Sequence, residues 1–170
     1  INIIRSDFTI KNTDITDAVS DAIDSDFSEG FITDSTFSSI KGDGIDTSGS
    51  KITIERVKIS NVGDKAISVG EESNVNINDI IVDSTEIAIA SKDASKVELN
   101  KASISNISKA ALMSYTKKNE YGSSASLLAD NIVFGVNVKN RAIAEKNTFI
   151  SVNGNIVESD DDEKNARTKK

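Results

Sequence analysis

Isoleucine returns in this chain at a step of 22 residues: Ile23, Ile45 and Ile67 sit inside the kindred segments SDAID, GDGID and GDKAIS. We extend this first ladder through Ile87, Leu112 and Ile143. Ile10, Ile32, Ile54, Ile77 and Leu99 form a second ladder, and Ile15, Phe37, Ile59, Val82 and Ile104 a third. A weaker inner column, Ala18, Ile40, Val62 and Ile107, passes over a shortened fourth coil. Between ladder positions the pattern alternates, as in Ile52-Thr53-Ile54 and Val57-Lys58-Ile59. Alternation over three or four residues marks a short strand with one face inward. One such coil cannot bury its inward face alone and must stack on its neighbours. The fold class that follows is all-β, a parallel β-helix (solenoid) with three strands per coil of about 22 residues. Its hand is expected to be right, because crossover connections between parallel strands are nearly always right-handed. Asp17, Ser39, Asn61, Ser84 and Asn106 form a further column of turn residues, expected as a stacked polar ladder in one bend.

Asp14, Asp17, Asp21 and Asp24 alternate with apolar residues in a way that also suits an amphipathic helix. The 22-residue register over five coils outweighs that local propensity. Composition narrows the rest. With no Trp, two Tyr and six Phe, the core must be aliphatic, and the absence of Pro suits unbroken ladder hydrogen bonds. No Cys removes disulfides and thiolate metal sites, and no His removes the imidazole base and ligand. A net charge of −7 disfavours nucleic acid. No apolar run approaches the ~20 residues of a membrane span, and INIIRSDF does not read as a signal peptide.

The β-helix is expected over residues 1–157 in about six coils, with an inserted loop at 115–124 (YTKKNEYGSS). Residues 158–170 hold one apolar side chain in thirteen and are expected to be a disordered charged tail. Ile1-Asn2-Ile3 aligns with Ile23-Asp24-Ser25, so the chain is expected to open on the last strand of a coil, as a fragment of a longer helix. Phe8, Ile10 and Ile15 would then end the core uncovered and favour self-association through the open N-terminal coil.

Asp21, Asp43 and Asp64 precede the first ladder, and Asp24 and Asp46 follow it. Stacked at about 4.8 Å per coil, such carboxylates can cap turn N–H groups, hold calcium, or serve as acid and base. Calcium is the one cofactor this pattern suggests. Tyr115 and Tyr121 are the expected exposed platforms for a ligand, since Phe8, Phe37 and Phe134 fall on or near core positions.

The ladders and the turns Gly42-Asp43-Gly44-Ile45 and Gly63-Asp64-Lys65-Ala66-Ile67 resemble the right-handed parallel β-helix superfamily, over roughly residues 1–157. That group holds the pectate-lyase-like enzymes and NosD-type repeat proteins. The resemblance implies an extracellular, cell-surface or periplasmic location and an association with polysaccharide. Galacturonase-like hydrolases of the group pair aspartates with a Gly-His-Gly, which this His-free chain lacks. The expected function is a non-catalytic extracellular or cell-surface module. The alternative is the C-terminal portion of a polysaccharide lyase or glycoside hydrolase whose site lies partly outside this chain.

Overall fold

The structure, a computed structural model, describes residues 1–160, so most of the charged run after Val157 lies outside the described residues. The first strands are short: β1 (Asn2–Ile4), β2 (Asp7–Lys11), β3 (Asp14–Thr16), β4 (Ile23–Asp26), β5 (Glu29–Thr33), β6 (Thr36–Ile40) and β7 (Ile45–Ser48). Later ones run on around the corners: β8 (Lys51–Val62), β9 (Lys65–Gly70), β10 (Asn74–Lys92) and β11 (Lys96–Tyr115). Then come β12 (Ser126–Phe134), β13 (Ala142–Glu145), β14 (Phe149–Val152), β15 (Asn155–Ile156) and β16 (Ser159–Asp160). No α-helix occurs among the described residues, and the stretch from Asp14 to Asp24 holds β3 and the start of β4.

Each strand pairs in parallel with its copy one turn on, which builds a solenoid of about seven turns with three walls. The first wall is β1, β4, β7, β9, the ends of β10 and β11, β13 and β16. The second runs β2, β5, the starts of β8, β10, β11 and β12, then β14. β3, β6 and the following segments of β8, β10, β11 and β12 make the third. An antiparallel hairpin of β14 and β15 departs from this pattern, and β16 carries the first wall past residue 157.

The second and third ladders pair as read: Ile10, Ile32, Ile54, Ile77 and Leu99, and Ile15, Phe37, Ile59, Val82 and Ile104. The first ladder needs correction. Ile67 pairs with Ile89, not Ile87, and Leu112 with Ala142, not Ile143. The fourth turn has one residue fewer at the corner than the fifth, so the register slips between Thr85 and Ile87. Ile87 and Ile143 therefore pack in a second apolar cluster, outside the solenoid core, with Ala90, Ala110, Met113 and Tyr115.

Corners repeat as strictly as strands. Asp17, Ser39, Asn61, Ser84 and Asn106 all take positive φ, between 54° and 59°. That is the left-handed conformation such turn residues tolerate best. At the corner between second and third walls, Arg56 and Lys101 are also left-handed, which costs on the order of 1 kcal/mol each. Ion pairs to the residue one turn back, Asp34 at 2.6 Å and Asp79 at 2.8 Å, hold them there. The remaining corner contains a serine ladder, a column outside those expected above. The N–H groups of Ser6, Ser28, Ser50 and Ser73 each donate to the next turn's serine hydroxyl, at 3.0–3.1 Å.

Ile59 is fully buried while its neighbour Lys58 is exposed on the same strand. Ile59→Ala should cost about 2–5 kcal/mol, and Lys58→Ala no more than about 0.5 kcal/mol. Urea melts of the two variants should therefore separate clearly, and equal midpoints would contradict the inward register of the third wall.

Candidate functional site

The outer face of the first wall changes character along the solenoid axis. In parallel register, Asp24, Asp46, Ser68, Ala90, Met113 and Ile143 form one outward column, polar at one end and apolar at the other. A neighbouring column runs Lys65, Ile87 and Ala110, and is led by Asp43 and Asp21 through side-chain contacts. Four of the five aspartates singled out above thus lie on one face in their expected stacking.

Asp64 does not join that stack. The residue one turn beyond Asp43 is Lys65, because the step is 22 residues and Asp64 falls one short of it. Asp21 Oδ1 accepts the Asp43 N–H at 2.6 Å, and Asp43 Oδ1 accepts the Lys65 N–H at 2.9 Å. Asp21 and Asp43 therefore cap backbone groups between turns. The Lys65 ammonium lies 2.5 Å from Asp64 Oδ2 and 3.4 Å from Asp43 Oδ1, so a cation of the chain itself stands among these carboxylates. Among the described residues no group of three or more carboxylates is arranged to hold a metal ion.

Burial dominates the electrostatics. It pushes the Asp43 carboxyl up to about 6, against the pull of Lys65 and with help from Asp46 and Asp64. Asp24 is raised by burial, then by Asp26, Asp46 and Asp21. Burial works against the charge of Lys65, yet Asp43 and Asp64 hold its pKa above the ordinary lysine range. Lys92 reaches back over Gly70, where an added Cβ would lie 2.7 Å from its Cε, and brings its ammonium to 3.6 Å from Asp46 Oδ1. Asp46 Oδ1, Asp64 Oδ1, Ser68 Oγ and Asp93 Oδ2 are buried atoms without a hydrogen-bond partner.

Tyr115 is not an exposed platform. It ends β11 and is 4% exposed, packed in the outer apolar cluster. The loop that follows folds back along the solenoid. The N–H groups of Lys117 and Lys118 donate to Asp93 Oδ1 at 2.6 Å, and the Lys118 ammonium pairs with Glu71. Burial first, and then the charges of Asp64, Asp43, Asp93 and Asp46, raise the phenol well above its ordinary range. Tyr115 and the aspartates, two separate candidates in the sequence, thus belong to one neighbourhood. Tyr121 lies in a single 3₁₀ turn, Asn119–Tyr121, and is partly exposed.

The second wall carries a feature missed above. Its outward column runs Phe31, Thr53, Asn76, Glu98 and Leu128, one residue per turn. Phe31 is 52% exposed, so an aromatic platform exists on this wall and not at Tyr115. Thr53, Asn76, Glu98 and Leu128 of that column, with Glu55, Asn78, Asn100 and Asp130 beside it, line a shallow open groove of about 570 Å³. Asn100 donates to Asn78 at 3.0 Å, a hydrogen bond along the axis. The signal lies in the same 22-residue step, which carries outward positions as columns just as it does inward ones.

Residues 1–167 match the family model described as right handed beta helix region. The chain matches no curated protein and no solved structure. No helix among the described residues is long and apolar enough to cross a membrane.

Asp43 yields a pH prediction with a defined sign. Its carboxyl titrates at about 6 in the fold, against 3.8 ordinarily. Between those values the folded state binds more protons than the unfolded one, so stability falls as pH rises from about 4 to about 6. The loss is on the order of 3 kcal/mol. Asp43→Asn keeps an oxygen for the Lys65 N–H and removes the titration, so its stability should vary less across that window. Urea melts at several pH values check this, and parallel curves for parent and variant would mean that Asp43 titrates normally.

Proposed function

We propose, on the premise that this chain belongs to the right-handed β-helix family, that it is a non-catalytic extracellular or cell-surface module which binds polysaccharide along its second wall. The observation that carries this reading is the open groove lined by Thr53, Asn76, Glu98 and Leu128, with Phe31 exposed one rung beyond it in the same column. Exposed apolar side chains at its two ends can stack on sugar faces, and the amide, hydroxyl and carboxylate between them can bond sugar hydroxyls. Rungs spaced at about 4.8 Å suit an extended chain lying along the axis. The overall negative charge favours a neutral glycan over a polyanion.

A panel of soluble glycans in affinity electrophoresis tests it. Phe31→Ala and Asn76→Ala should each weaken retardation while leaving the melting temperature close to that of the parent. Retardation that is equal in parent and variants would remove the second wall from the contact. The reading extends to self-association through the first turn, where Phe8, Ile10 and Ile15 are only partly buried against the core. Light scattering should then show mass rising with concentration, and Ile10→Lys should suppress the rise.

One observation favours a second reading, a portion of a polysaccharide lyase or glycoside hydrolase. Asp43, raised to about 6, stands close to Asp46 and Asp64 and could hold a transferable proton. That reading requires release of sugar chain ends by the parent protein and loss of the release in Asp43→Asn.

A further inference from the structure

Among the described residues, the one antiparallel pairing closes on the one Asn-Gly pair of the sequence. β14 and β15 pair Val152 with Asn155 and Ser151 with Ile156, so Asn153 and Gly154 alone make the loop. Both are left-handed, with φ of 50° and 78°, as the tight two-residue hairpin turn requires. The hairpin covers the last described turn. Val152 and Val157 pack against the core, and the Val157 N–H donates to the Ile150 carbonyl at 2.9 Å.

Asn153 has a second task. Its side chain leaves the turn and serves as a rung for β12. Oδ1 accepts the Ile132 N–H at 3.1 Å, while Nδ2 donates to the Ile132 carbonyl at 3.5 Å. The Asn153 N–H itself donates to the Ala129 carbonyl at 2.7 Å. Both ends of the amide are thus held by one residue of the turn before. Gly154, by contrast, is exposed, and nothing lies within 4 Å of the place a Cβ would take. The turn borders an open hollow of about 850 Å³, so water reaches it.

We infer that Asn153-Gly154 is a self-modification site: a turn that deamidates when its side chain is released, and whose isoaspartyl product unlatches the hairpin from the core. The Gly154 nitrogen, shielded by no side chain of its own, attacks Asn153 Cγ. A bond forms from that nitrogen to Cγ, the Cγ–Nδ2 bond breaks, and Nδ2 leaves as ammonia with the proton the glycine nitrogen gives up. Water then opens the five-membered imide, giving its hydroxyl to one carbonyl carbon and its hydrogen to the nitrogen. Opening at Cγ leaves aspartate in an unaltered main chain. Opening at the other carbonyl leaves the chain running through Cβ and Cγ, one carbon longer. While Asn153 is bonded to Ile132 its Cγ is turned away from its own next peptide, so the fold holds the reaction back. Aspartate keeps an oxygen for the Ile132 N–H. The longer isoaspartyl link cannot keep both the two-residue loop and the Ser151–Ile156 register.

Peptide mapping by mass, with the full chain held at neutral pH in native buffer and in unfolding urea, tests the assignment. Conversion at residue 153 should outpace that at every other asparagine in urea. In native buffer it should run about tenfold slower or more, the penalty of first breaking hydrogen bonds of ordinary strength. Isoaspartyl chains, recognised by enzymatic methylation of the new carboxylate, should lose hydrogen-exchange protection at the Ile132 and Val157 amides. Asn153→Asp, which adds the charge without the extra carbon, should keep that protection. Equal conversion in native buffer and urea would show that the rung to Ile132 restrains nothing. Conversion in urea no faster than at other asparagines would remove the site altogether. Parent-like exchange in isoaspartyl chains, or lost protection in Asn153→Asp, would overturn unlatching by the longer backbone.

Discussion

Every part of this molecule depends on the parallel rung. A strand is held by hydrogen bonds to the strand one turn before and one turn after, at about 4.8 Å, so each side chain must tolerate its own counterpart stacked upon it. For isoleucine this is favourable, because branched aliphatic side chains pack in columns and exclude water. Serine also stacks well: a hydroxyl accepts the N–H of the preceding turn and satisfies a corner's backbone. Charge is where the constraint works against the fold. Like carboxylates at rung spacing repel, and the solenoid answers by alternating sign along the column, as in Glu29 with Lys51 and Asp34 with Arg56. It can also spend a carboxylate on a backbone N–H, as Asp21 and Asp43 do.

The same constraint decides how much of the structure was legible. Inward positions have one admissible chemistry, so the columns led by Ile10 and Ile15 emerged with the right partners over five turns. The error at Ile87 has a physical origin. One residue is missing from a corner of the fourth turn, which places an isoleucine near the expected spacing but on the opposite face. Both faces of that strand are buried, so hydrophobicity could not tell inward from outward there. Ile143 misleads for the same reason, since Ala142 is the inward partner of Leu112.

Outward positions are harder, because an exposed column imposes no single chemistry. Asp64 looked equivalent to Asp21 and Asp43 by its place in a GDKAI turn, yet rung geometry gives that place to Lys65. Tyr115 looked exposed because polar residues follow it. Those residues fold back and tie the loop to Asp93 and Glu71, two contacts made across one turn and two turns that no local pattern announces. Phe31 failed in the reverse direction: an aromatic residue in an aliphatic protein invites assignment to the core. Its neighbours Gly30 and Ile32 are the buried ones, and strict alternation puts Phe31 outside.

A solenoid separates its fold from its surface more completely than a folded globule does. Because each turn contacts chiefly its neighbours, stability is close to a sum over turns, and an outward substitution changes one rung of one column without disturbing the core. The three walls can therefore carry different surfaces on the same ladder. Here the second wall presents a line of amide, carboxylate and exposed apolar groups, while the first grades from apolar to acidic. On the first wall the gradient itself has a consequence. Burial first, and then the neighbouring carboxylates, leave Asp43 near 6 and the phenol of Tyr115 strongly disfavoured as an anion.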